Sequence, residues 1–126
     1  MKIWTLSASL PLTKTYIAKD GQIIPLNYPN VAHFTSHPHE IETIADLNKL
    51  VAAAGKDQHC LIKGIMHREL NNRSRAGATD SNDTTEWICL DLDGVEESPQ
   101  EFMNNIGLGD VSHVIQWSSS QGIKEG

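Results

Sequence analysis

Trp87-Ile-Cys-Leu-Asp-Leu-Asp-Gly94 decides how this chain is read. Apolar residues alternate with two acids, then a glycine lets the chain turn. The period of two predicts a buried strand over Trp87–Asp93, because side chains two apart on a strand share a face. Ile88, Leu90 and Leu92 would then enter a core, and Asp91 and Asp93 would share the other face. Their Cα atoms would stand roughly 6.5–7 Å apart. Two like charges so placed repel, and burial would disfavour both unless a cation neutralised them. Hard cations such as Mg²⁺ or Mn²⁺ take carboxylate oxygens and substrate phosphates as ligands. Asp91 and Asp93 are therefore the expected metal ligands and catalytic residues. The structural alternative is a pair of turn-capping aspartates that bind nothing.

Downstream, Ser98-Pro-Gln-Glu101 supplies an N-cap, an N1 proline and an N3 glutamate, the elements of a capping box. Phe102, Met103 and Ile106 give that short helix an apolar face, and Gly107 is expected to stop it. Ser112-His-Val-Ile-Gln-Trp117 reads as a last strand, running into Ser118-Ser-Ser-Gln-Gly-Ile-Lys-Glu-Gly126. For His113 and Trp117, packing is the expected role.

Upstream, Trp4–Ser9 predicts a first strand. Lys14–Lys19 and Gln22–Leu26 flank Asp20-Gly21, a dipeptide suited to a type I′ hairpin turn. Pro25 makes the second of these strands short or peripheral. Asn27–His39 reads as loop. Thr43 and Asp46 form a capping pair, and Ile44, Leu47, Leu50, Val51 and Ala54 recur at helical spacing up to Gly55, the expected C′ residue. His59–Met66 is a strand candidate. Glu69–Glu86 is a long polar loop, functional or mobile. The fold class is α+β (mixed α/β), with a mostly antiparallel sheet flanked by helices.

The 126 residues fit one domain, and the net charge of −6 counts against a nucleic-acid binder that relies on overall charge. Between His59 and Arg75, however, Lys63, Arg68, Arg73 and Arg75 face only Glu69. Arg68, Arg73 and Arg75 are candidates for contacts to template phosphates; a solvated mobile loop is the alternative. Cys60 and Cys89 both fall in predicted strands and read as buried free thiols of a reducing compartment. With no apolar run long enough for a membrane span and no signal-type core, the expected location is cytoplasmic. His33, His37, His39, His59 and His67 with Cys60 could suggest zinc, but their spacing matches no standard site, and loop histidines are the expected reading.

Leu90-Asp91-Leu92-Asp93 and Val114-Ile-Gln-Trp-Ser-Ser-Ser-Gln-Gly122 together resemble the catalytic domain of the archaeo-eukaryotic primase superfamily, particularly the primase-polymerases of phages and plasmids. The resemblance covers roughly residues 40 to 126. It implies an RRM-like catalytic core and template-dependent nucleotidyl transfer by a two-metal mechanism with Mg²⁺ or Mn²⁺. It also implies nucleoside triphosphates and a nucleic-acid template and primer as partners. Ser118, Ser119, Ser120 and Gly122 would approach the triphosphate, with Lys124 beside them; small residues there bring backbone N–H groups close to an anion. The family's later histidine and third acid are not in this sequence. Residues 1–126 thus read as the N-terminal portion of the catalytic domain, incomplete, with a helicase or other replication domains expected beyond it. Haloacid-dehalogenase-type phosphatases share Asp-x-Asp-Gly; in that reading Asp91 is the nucleophile, Asp93 the general acid and base, and Ser118 or Ser119 binds phosphate. Such phosphatases place the motif near the N-terminus, whereas 90 residues precede Asp91 here. A non-catalytic nucleic-acid-binding or structural fragment is the third reading.

Overall fold

A computed structural model describes residues 1–26 and 30–117. Five strands and two helices follow in order: β1 (Lys2–Ser7), β2 (Tyr16–Lys19), β3 (Gln22–Pro25), β4 (Thr35–Glu40), α1 (Ile44–Asp57), β5 (Cys60–Ile62) and α2 (Pro99–Asn105). This is a mixed α and β fold with small antiparallel sheets, as the element pattern implies.

β1 organises the larger sheet. β4 pairs with it along one edge, from Lys2 opposite Glu40 to Ser7 opposite Thr35. β5 pairs along the other, with Trp4 opposite Ile62 and Leu6 opposite Cys60. Ile3, Trp4, Thr5 and Leu6 are all buried, so β1 is covered on both faces. Alternation sends its side chains to two clusters. Trp4 and Leu6 join Met66, Leu70 and Ala78, flanked by Leu12, Phe34, Cys60 and Ile62. Ile3 joins Ile41 and Leu50, flanked by Leu47, Leu61 and Trp87.

The second cluster is where α1 docks. Thr43 is its N-cap: the Thr43 hydroxyl accepts from the Asp46 N–H, and the Asp46 carboxylate accepts from the Thr43 N–H. The helix does not end at Gly55. It runs to Asp57, and Gln58 takes the left-handed position at φ 58°. The N–H groups of Gln58 and His59 then satisfy the carbonyls of Gly55 and Ala54. The stop needs a residue tolerating positive φ and two free amides, which the segment after Gly55 provides.

The hairpin matches its turn chemistry. β2 and β3 pair from Tyr16–Pro25 to Lys19–Gln22, and Asp20 and Gly21 hold φ of 52° and 75°. Both central residues of a type I′ turn require positive φ. The hairpin forms a sheet of its own, and Ile17, Ile23 and Ile24 stay exposed.

Three further expectations fail. The reading of Asn27–His39 as loop is overturned by β4, whose edge position tolerates Pro38. Trp87–Asp93 is not a buried strand, and Ser112–Trp117 is not a strand either. Both edges of β1 are already taken by β4 and β5, so neither segment has a ladder to join at the sheet's centre. Ile88, Leu90 and Leu92 are 69%, 44% and 43% exposed, not core residues.

Leu6→Ala removes a fully buried side chain and should cost about 2–5 kcal/mol. Ile23→Ala, on the exposed hairpin, should cost under about 0.5 kcal/mol. Urea unfolding midpoints of the two variants check the contrast; equal losses would contradict this placement of the core.

Candidate functional site

The segment carrying Asp91 and Asp93 is anchored at its start. Trp87 packs against the Ile3–Ile41–Leu50 cluster, and its carbonyl accepts a 2.5 Å hydrogen bond from the Thr85 hydroxyl. Beyond Trp87 the chain runs without ladder partners, and Cys89, Asp91 and Asp93 are exposed. Gly94 then turns at φ 65°, a conformation that disfavours any side chain with a Cβ. Removing the strand removes the ladder that would have fixed both carboxylates on one face. Their spacing of two residues, and their access to solvent, persist.

α2 follows within a turn and closes as the sequence implies. The Ser98 hydroxyl accepts from the Glu101 N–H, the Glu101 carboxylate accepts from the Ser98 N–H, and Pro99 opens the helix. Met103 is its buried anchor. Gly107 leaves at φ 80°, and the Leu108 N–H reaches back to the Met103 carbonyl. The chain then returns to α1: Ile44, Ala45 and Asn48 line an open cleft of about 330 Å³ with His113, Val114 and Ile115. Trp117 is 59% exposed, so the packing expected of it is not made.

Ser118, Ser119, Ser120, Gly122 and Lys124 lie outside the described residues, as does their expected proximity to the acid pair. Among the described residues, no group of three or more His, Cys, Asp or Glu is placed to hold a metal ion. Asp91 and Asp93 therefore amount to a pair. Two exposed hard-oxygen donors fit Mg²⁺ or Mn²⁺, which keeps several waters and completes its shell with substrate phosphates. They do not by themselves make a closed protein cage.

The long loop after β5 packs back against the sheet. Leu70 and Ala78 are buried. The Ser36 hydroxyl accepts from the Leu70 N–H at 2.8 Å, and Phe34 exchanges both backbone hydrogen bonds with Arg73. Arg68 donates to the carbonyls of Ser74 and Ala76 at 3.0 and 2.7 Å, using part of its fork to close the loop. The Arg75 guanidinium sits over the Phe34 ring, 5.6 Å from its centroid. His67 Nε2 meets an Asp83 carboxylate oxygen at 2.5 Å. Arg68, Arg73 and Arg75 are thus carried on one solvent-facing loop beside β4.

The histidines are the part that sequence reasoning missed. His37 and His39 alternate on β4, and their Nε2 atoms meet the hydroxyls of Ser7 and Thr5 on β1 at 2.7 and 2.9 Å. His59, just before β5, stacks on His37 with ring centroids 5.3 Å apart and planes 9° apart. The His-x-His alternation itself was the available signal, hidden by the proline between. Stacked rings do not converge on one ion, in keeping with the absence of a metal cluster among the described residues. The cysteines depart from the expected pair of buried thiols. Both are free, Cys60 is half-buried with its thiol pushed up by that burial, and Cys89 is exposed. No helix among the described residues is long and apolar enough to cross a membrane.

No protein-family model matches the chain, and neither a curated protein nor a solved structure matches it significantly.

Arg68→Ala should loosen the loop while leaving β1 and β5 paired. Amide exchange at His67 and Ala78 should accelerate about five- to tenfold, the loss of roughly 1 kcal/mol of local hydrogen bonding. Unchanged exchange at both amides would contradict the stapling role.

Proposed function

We propose that this chain carries the metal-binding acid pair of a primase-polymerase, and that the intact enzyme transfers nucleotidyl groups on a nucleic-acid template. The observation that carries the reading is Leu90-Asp91-Leu92-Asp93-Gly94 itself: two carboxylates two residues apart, open to solvent, before a positive-φ glycine. A capped helix and the Val114–Gly122 segment follow in the order that this family uses. An RRM-like form of the core belongs to the same proposal.

In this reading Asp91 and Asp93 hold the divalent ions whose charge stabilises the attacking and leaving oxygens of in-line phosphoryl transfer. The bond that forms joins a primer 3′-oxygen to the α-phosphorus of an incoming nucleoside triphosphate. The bond that breaks releases pyrophosphate. Exposed carboxylates suit this role, because the remaining ligands must come from water and from the triphosphate. Ser118, Ser119, Ser120, Gly122 and Lys124 are assigned to the triphosphate, and Arg68, Arg73 and Arg75 to template phosphates. The arginine loop supplies local positive charge that a chain of net charge −6 otherwise lacks.

The test is template-dependent incorporation of labelled nucleotides by the intact protein with Mg²⁺ or Mn²⁺. Asp91→Ala and Asp93→Ala should each lower incorporation by about 10²-fold or more, since each removes a direct metal ligand. Full metal-dependent incorporation by the double variant would overturn the assignment. Trapping of a phosphoaspartate mimic by beryllium fluoride at Asp91 would move the protein to the phosphatase class.

A further inference from the structure

The face of the sheet next to α1 changes character along its length. At one end Ile3, Ile41 and Leu50 make a dry cluster. Further along β1 it becomes polar. Thr5 and Ser7 point to the same side as Ile3, and each hydroxyl is matched to a histidine of β4. His59 lies flat on His37. Three imidazoles thus share one half-buried patch at the junction of β4, β1 and the start of β5.

The arrangement suits the neutral rings. A neutral imidazole can stack on another, and its Nε2 can accept from a hydroxyl or donate to one. Protonation does not itself break the Thr5 and Ser7 contacts, because a hydroxyl can rotate to accept. What opposes it is partial burial and the gathering of like charges. Burial, followed by the neighbouring His37 and His59, already holds His39 below the ordinary imidazole range.

Acids and cations both lie nearby, but the influences that act on His39 all lower it. On β4, Glu40 is the next residue, but Lys2 of β1 lies 3.6 Å from its carboxylate. Glu42, Asp46 and Lys49, from the turn and α1, line a cleft of about 350 Å³ with His39 and Glu40. Hydrogen bonds from the Glu42 and Thr43 amides occupy Asp46 and hold its carboxyl below the usual carboxylate range. Lys49 adds a like charge. From β5, Cys60 packs with the opposite cluster and brings no anion to this face.

β4 is also the element on which the arginine loop rests. Ser36 bonds Leu70, the Thr35 hydroxyl accepts from the Asn72 N–H, and Phe34 bridges Arg73. Whatever loosens the edge strand therefore loosens residues 70–73 with it.

We infer that His37, His39 and His59 form an acid-responsive latch, which keeps β4 and the arginine loop docked when neutral and releases them when protonated.

The sign follows from linkage. A histidine whose folded pKa is lowered binds fewer protons folded than unfolded, so its stabilising effect is whole above about pH 6.5 and is lost as pH falls toward the folded value. The experiment is hydrogen exchange of the intact chain at pH 7.5 and 5.0, corrected for intrinsic exchange chemistry, on the natural protein and on His37→Gln/His59→Gln. In the natural protein, opening of residues 35–40 and 70–73 should rise severalfold at pH 5.0 relative to pH 7.5, the direction that a lowered His39 dictates. The β2–β3 hairpin should be unaffected. In the double variant that rise should be less than half as large, because the like charges that lower His39 are gone. Should the variant fail to fold, NMR titration of the natural protein decides: His39 must titrate below the ordinary range as the latch requires. Acid opening that is uniform along the chain, that persists in the variant, or that accompanies an unshifted His39 would overturn the proposal.

Discussion

The fold depends on the burial of β1. Six residues, Lys2–Ser7, supply the centre of the only sheet of more than two strands among the described residues. Its two faces feed the two hydrophobic clusters, and its two edges hold β4 and β5. A strand buried on both faces must have every backbone polar group paired, so both neighbours are required by the same constraint. Thr5 extends that logic to a side chain, since a hydroxyl only 1% exposed is matched by His39. α1, the arginine loop and Trp87 are all positioned by contact with this unit.

Features encoded locally were legible in the sequence. The Asp20-Gly21 turn, the Thr43–Asp46 box and the Ser98–Glu101 box form as read, because each is closed by residues within four positions of one another. Features that depend on partners were not. β4 carries two histidines and a proline in six residues, a composition that argues for loop until the edge of β1 is known to be free. Trp87–Asp93 shows the reverse: an ideal alternation with no edge left to pair with at β1. Periodicity records which face a strand would bury, and only topology decides whether a ladder exists.

The candidate site was legible as chemistry rather than as architecture. Asp91, Asp93 and Gly94 motivate the proposed cation pair through charge and spacing alone, and the exposed chain after Trp87 leaves both acids accessible. The strand geometry inferred for them did not survive, because it rested on a ladder. The histidine patch is the converse case: its members are 37, 39 and 59 in sequence, and only the pairing of β4 with β1 and the approach of β5 bring them together. Metal chemistry is thus assigned to the segment least constrained by the sheet, and proton sensitivity to the edge that the sheet constrains most.

The central claim is that Asp91 and Asp93 bind a divalent cation as a pair. Paramagnetic broadening of backbone amide resonances on titration with Mn²⁺ tests it most directly. The account predicts selective loss of signals around Leu90–Val95, reversed by excess Mg²⁺ and absent in Asp91→Asn/Asp93→Asn. Broadening centred elsewhere, or unchanged in that variant, would contradict it.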